Sequence, residues 1–184
     1  MDRRAMLGGA GALAGAAWLP AGLGASVHKE VTMLSVEERL HAIEEISVLK
    51  ARYFRFADTQ DWNALRDLFT PDATLFFPEG QEKPLPRDES IAHIKKVLAG
   101  VVSVHHGHMP EIELLSADHA TGIWAMEDLV FFPPDRARET GVESVHGFGH
   151  YHEEYVRRNG RWSIHRLKLT RLRLERRSPA IAIS

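Results

Sequence analysis

The chain has 184 residues, 44% of them hydrophobic, and a net charge of −2, which is enough for one domain with a sizeable core and too little for two. A charge so close to balance provides no global attraction to nucleic acid or to an anionic membrane. With no cysteine in the chain, disulfides, thiolate metal sites and a cysteine nucleophile are excluded.

Residues 1–25 have the pattern of an export signal. A charged start with Arg3-Arg4 precedes a weakly apolar Gly/Ala/Leu run, and small residues lead to Ala25. The paired arginines resemble a twin-arginine signal, with Asp2 and Met6 departing from its usual residues. The run is too short and too rich in glycine for a membrane span. The expected localisation is therefore exported or periplasmic, with no stable membrane insertion once the signal is removed. The alternative is a cytoplasmic protein starting near Met33. Residues 26–34 then form a linker, 35–176 the folded domain and 177–184 a short tail.

Within the domain, Ser35 and Glu38 have the spacing of a capping box. They open a helix that runs to about Ala57. Leu40, Ile43, Ile46, Leu49, Tyr53 and Phe56 recur at helical spacing as its buried stripe, with Glu44, Glu45, Lys50 and Arg52 on the solvent side. Asp61 caps a second helix through Phe69, and Thr70-Pro71-Asp72 stops it. Ala73–Phe77 is a short strand, and the proline-rich stretch 78–86 is a loop. Asp88 or Ser90 caps a third helix ending at Gly100.

The hydrophobic period then changes. Residues 102–115, 119–132, 142–157 and 161–174 read as four long strands joined by hairpins. Asn159-Gly160 is the strongest turn signal, and 133–141 reads as a longer charged loop. Leu167 and Leu169 alternate out of phase with Leu172 and Leu174, which predicts a bulge near Thr170. Helices first and an antiparallel meander last make an α+β fold, with three N-terminal helices on one face of a curved sheet.

Tyr53–Trp62, Leu65, Leu68-Phe69, Val104–Gly107, Ser116–Asp118 and Glu154–Trp162 resemble a SnoaL-like domain of the nuclear transport factor 2-like superfamily. The resemblance spans about Leu34 to Leu174. Within the superfamily it is similar to the lyase branch that includes scytalone dehydratase, bile-acid 7α-dehydratase and hexachlorocyclohexane dehydrochlorinase. The resemblance implies a cone-shaped cavity with catalytic residues Asp58 at the end of the first helix, His105 on the first long strand and Tyr53 five residues before the aspartate. It also implies no cofactor, and a homo-oligomer, either dimer or trimer. Scytalone dehydratase has a further histidine near Val130 and an asparagine near Tyr151, so the same substrate is not expected.

These residue types suit an elimination. A neutral imidazole takes a proton from carbon when a carboxylate holds its other ring nitrogen. Asp58 would fix the tautomer of His105, and Tyr53 would donate to a carbonyl or to a departing hydroxyl. On a regular helix Tyr53 and Asp58 lie about 140° apart, so they can share a site only where the helix ends. The expected function is a cofactor-independent lyase or isomerase acting on a small apolar hydroxylated or ketonic molecule. The alternative is a non-catalytic ligand-binding or assembly module built on the same cone.

Phe54, Trp62, Phe76, Trp124, Met126, Phe148, Tyr151 and Tyr155 are the candidate pocket walls, with Arg171 placed to hold a carboxylate. Seven of the 11 histidines fall between His105 and His152. If His105 points inward, strand alternation turns His106 and His108 outward. Together with His150 and His152 they are expected on a polar or subunit-facing surface, with no metal site. The C-terminal arginines lack the interleaved aromatics that single-stranded nucleic acid requires. Mass spectrometry of the native protein is expected to find an N-terminus near Ser26; an intact Met1, or a start at Met33, contradicts export.

Overall fold

The structure is a computed structural model that describes residues 34–179. The expected signal, most of the linker and the last five residues of the tail lie outside the described residues. Helix α1 (Val36–Asp58) and the short α2 (Trp62–Arg66) are followed by β1 (Phe69–Phe76), β2 (Leu85–Pro86) and α3 (Arg87–Val97). Strands β3 (Val102–Leu114) and β4 (His119–Phe131), helix α4 (Pro134–Thr140), then β5 (Ser144–Arg158) and β6 (Arg161–Arg177) complete the chain. The six strands form one sheet in the order β2-β1-β6-β5-β4-β3, with only the β1–β6 pair parallel. Helices packed on one face of this sheet give the α+β architecture that the element order predicts.

The capping box forms as expected. Ser35 Oγ accepts from the Glu38 amide at 3.1 Å, and Glu38 Oε2 accepts from the Ser35 amide at 2.8 Å. The buried stripe of α1 is Ala42, Ile46, Leu49, Lys50, Tyr53, Phe54 and Ala57. Leu40 does not join it and is 62% exposed. Lys50, expected on the solvent side, is fully buried. Its ammonium pairs with Glu153 of β5 and lies over the rings of Tyr151, Tyr53 and Phe54 at 3.7, 4.1 and 4.8 Å. The Tyr155 hydroxyl donates to the second Glu153 oxygen, and Trp124 Nε1 donates to that hydroxyl at 2.8 Å. Desolvation draws the Lys50 ammonium down to about 8 against the opposing pull of Glu153. The core thus contains a charge pair sealed by aromatic faces, an arrangement tolerated only when each charge is paired and hydrogen-bonded.

Other boundaries shift for local reasons. Asp61 caps α2 as expected, its carboxylate accepting from the Ala64 amide at 3.1 Å. The helix nevertheless ends at Arg66, and Phe69 already pairs with Ile164 in the sheet. Helix α3 starts at Arg87 with Pro86 as its N-cap, so Asp88 and Ser90 lie within the helix. Proline supplies a preset φ and no amide that needs a partner. Residues 134–140 form about two turns of helix, closed by Gly141 at φ 70°, where a charged loop was expected. The β5–β6 turn has both central residues at positive φ, Asn159 at 53° and Gly160 at 74°, as a tight hairpin requires. The predicted bulge lies at Leu172: Gly149 pairs with Arg171 and Phe148 with Arg173, leaving Leu172 without a partner and 74% exposed. It restores phase, so Leu167, Leu169 and Arg171 face inward before it, and Leu174 and Arg176 after it.

Removing one partner of the core pair is the severe test. Glu153→Gln is expected to cost about 3–5 kcal/mol in urea denaturation, because it strands a buried ammonium. Lys50→Met/Glu153→Leu together should cost less than Glu153→Gln alone. A loss from Glu153→Gln below about 1 kcal/mol would show that the pair does not bear on the fold.

Candidate active site

Asp58 is the last residue of α1. The carbonyl end of a helix disfavours a carboxylate, so the charge must be met from elsewhere, and β3 meets it. Asp58 Oδ2 accepts from the His105 amide at 2.9 Å, and Oδ1 accepts from Ser103 Oγ at 3.0 Å and from the His105 ring at Nδ1, 2.6 Å. After Thr59, Gln60 turns the chain with φ 56°. Its side-chain Nε2 then donates to the carbonyls of Leu98 and Val101 at 2.9 and 3.0 Å. The turn that ends α1 therefore also anchors the segment that starts β3.

A carboxylate at Nδ1 keeps the proton on that nitrogen and leaves Nε2 as the basic one. The imidazole, 13% exposed, lines a cavity of about 350 Å³. Ser103 escaped the sequence reading, although it shares the inward parity of His105. Tyr53 and Ala57, one helical turn apart, line the cavity from α1, while Asp58 approaches His105 from behind. The 140° separation is thereby accommodated: Tyr53 faces the cavity and Asp58 reaches the strand at the helix terminus.

The cavity contains a second charged group. Asp128 on β4 stands directly opposite His105 in register and is 4% exposed. One of its oxygens takes Arg171 Nη2 at 2.8 Å; the other, Oδ1, is buried without a hydrogen-bond partner. Arg171 also donates to Glu79 at 2.6 Å and approaches Met126 Sδ at 3.5 Å. Asp128 was missed from the sequence. Its signal was a carboxylate on the inward parity of Ala120, Gly122, Trp124 and Met126. Burial pushes the phenols of Tyr53 and Tyr151 above the ordinary tyrosine range, so both remain protonated donors near neutral pH.

Tyr53, His105, Tyr151 and Arg171 thus line the cavity as expected. Seven expected wall residues do not. Phe54 covers Lys50 and fills the space that a Cβ on Gly107 would need. Trp62 packs half-buried against the core. Trp124 and Tyr155 belong to the Glu153 network. Met126 lies beneath Arg171, and Phe76 lines a separate groove. Phe148 faces outward against His146, ring centroids 4.3 Å apart. Ile94, Leu98, Val130, Val142, Val145 and Leu174 make an aliphatic part of the remaining wall, which Phe77, His93, Phe132 and Thr140 complete together with charged Glu79, Arg136 and Arg176.

His106, His108 and His152 are exposed on the outer face. His146 pairs there with Glu127 at 2.6 Å, and His108 lies 3.9 Å from the same carboxylate. Among the described residues, no group of three or more acidic or histidine side chains is placed to hold a metal ion. No helix among them is long and apolar enough to cross a membrane.

A curved sheet closed by helices around a half-buried Asp–His pair defines a cone-shaped domain of the nuclear transport factor 2-like class. The chain belongs to the SnoaL-like domain family, whose pattern it matches over residues 38–168. It is 23% identical over 133 residues to a candidate cyclase of Gibberella zeae, covering 67% of this chain and 86% of that protein. A candidate scytalone dehydratase from Novosphingobium aromaticivorans superposes with a TM-score of 0.68 at 16% identity, covering 82% of this chain and 99% of the other. A type-3 hexachlorocyclohexane dehydrochlorinase from Novosphingobium barchaimii does so with a TM-score of 0.66 at 19% identity, with the same shares covered. At these identities the superpositions establish the shared fold.

A glycine guards the charged pair. A Cβ at Gly147 would collide with Asp128 Oδ1 and Arg171 Nη1. Gly147→Ala is expected to lower stability by about 1–3 kcal/mol in urea denaturation. A loss below about 0.5 kcal/mol would show that the pair yields freely.

Proposed function

We propose that this protein is a cofactor-independent lyase or isomerase of the dehydratase type, acting on a small, mostly apolar, hydroxylated or ketonic molecule. The observation that carries the reading is the Asp58–His105 pair, with the basic nitrogen of His105 left for a cavity that also contains two neutral phenols. His105 Nε2 takes a proton from a carbon next to a carbonyl. Asp58 offsets the imidazolium charge that forms, as an aspartate does beside a triad histidine. The Tyr53 or Tyr151 hydroxyl donates to the carbonyl oxygen, where negative charge collects. In a dehydration the electrons of the C–H bond become the new C=C bond and the C–O bond breaks. The proton on His105 then returns to the departing hydroxide, which leaves as water. In an isomerisation the same proton returns to a different carbon. The Asp128–Arg171 pair supplies a fixed dipole beside the reacting atoms.

We also propose self-association through the outer sheet face, which carries His106, His152 and the 92%-exposed Met109. A dimer or trimer mass by light scattering at micromolar concentration is expected; a monomer contradicts it.

The catalytic test is a turnover screen over hydroxy-ketones and halogenated analogues, followed by variants. His105→Ala is expected to abolish turnover while leaving the fold and ligand affinity intact. Asp58→Asn should lose about 10²–10⁴-fold, and Tyr53→Phe less, since it removes a donor and not the base. The His105/Asp58 double variant should be scarcely worse than His105→Ala, because residues that act as a unit do not add. Full activity in His105→Ala refutes the mechanism. Ligand binding without any turnover favours a binding module.

A further inference from the structure

Outside the reacting layer the cavity has a charge pattern that the proposed chemistry does not use. His105, Asp128, Gly147 and Leu174 form one row across β3–β6. The next inward-facing row, toward the end of the sheet where α4 joins β4 to β5, is Ser103, Val130, Val145 and Arg176. It lies two residues along each strand, about 7 Å away. Val130, Val145 and Arg176 all line the cavity. Arg136 of α4 reaches the same cavity. It is held by donating to the carbonyls of Val97 and Ala99 at 3.0 and 3.4 Å, with its guanidinium 4.9 Å from the centre of the Phe132 ring. These contacts orient Arg136 without neutralising it.

The acids of this region are committed elsewhere. Both carboxylates that line the cavity, Glu79 and Asp128, bind Arg171. Asp135 pairs with Arg138, and Glu175 with Arg173. Among the described residues, Arg136 and Arg176 have no ion-pair partner. The cavity therefore runs from a polar reacting layer, through an aliphatic belt, to a rim of two uncompensated guanidinium groups. Such groups suit carboxylate or phosphate oxygens.

We infer that the substrate of this site is an amphipathic anion, whose neutral reacting end lies at His105 and whose carboxylate or phosphate tail is held at the rim by Arg136 and Arg176. The inference rests on the lyase or isomerase reading for which end reacts, but its test reads binding and needs no turnover. Decanoate, decyl phosphate and decan-1-ol are titrated by calorimetry at low and at high salt. Decanoate or decyl phosphate is expected to bind about tenfold tighter than decan-1-ol at low salt, with the advantage shrinking in high salt. The tighter of the two anions identifies the tail.

Arg176→Gln should remove most of that advantage and leave decan-1-ol affinity unchanged. The side chain has no partner whose loss would disturb the fold. Arg136→Gln should act in the same direction. His105→Ala should leave the preference for the anion intact, so loss of turnover and loss of tail recognition are separate results. Equal affinity for the alcohol and the anions overturns the inference, as does no measurable binding of either anion. An Arg176→Gln effect common to all three ligands also overturns it. So does a preference that disappears in His105→Ala, which would place the anion at the dyad.

Discussion

The Lys50 ammonium, sealed in the core against Glu153, is the constraint around which the domain is arranged. Neither charge can be buried alone, so α1 must lie across β5 at the one position that brings them together. That position fixes the rotation of α1. With Lys50 facing the sheet, Tyr53 lies nearly one turn further along the same side, and Asp58 at the helix terminus falls beside β3. The rings that cover the ammonium include Tyr53 and Tyr151, which also line the cavity. One wall thus separates a buried charge from the proposed reaction space. The same burial that isolates Lys50 raises the two phenols further above the ordinary tyrosine range.

The dyad depends on a second coupling, between helix end and strand start. Asp58 takes three hydrogen bonds from Ser103 and His105, two of them from side chains and one from the backbone. The backbone bond matters because it fixes the strand relative to the carboxylate whatever the imidazole does. Gln60 adds two bonds to the segment just before the strand. For the chemistry proposed, a histidine held in this way is already oriented, which is the preorganisation a general base needs.

Local signals were read well from the sequence, and depth was not. The capping box, the Asp61 cap, the Asn159-Gly160 turn and the out-of-phase leucines of β6 all depend on neighbours within a few residues. The Asp58–His105 pair was legible because its two positions resemble those of the lyase branch. Lys50 was not, because its partner lies 103 residues away and a lysine on an amphipathic helix ordinarily marks the wet face. The aromatic wall failed for a related reason. Alternation shows which side of a strand faces inward, but not how far along the cone that position lies. Trp124, Met126 and Tyr155 face inward as expected, yet they fill the core instead of bounding the cavity.

The site arises where large side chains stop filling the cone. Along β4 the inward residues run Ala120, Gly122, Trp124, Met126, Asp128, Val130. Up to Met126 the space is filled by large side chains and by the ring of Phe54 over Gly107. Beyond it, Gly147 on the neighbouring strand leaves room for a carboxylate and a guanidinium, and the aliphatic residues after that are too short to meet across the cone. Asp128, His105 and Arg171 therefore lie where close packing stops, with dry core on one side and open cavity on the other. A charged group deeper in would lack room for substrate, and one further out would be solvated and weak. The boundary of the core is where these side chains combine low local dielectric with access, and that coincidence places the proposed chemistry at this level of the cone.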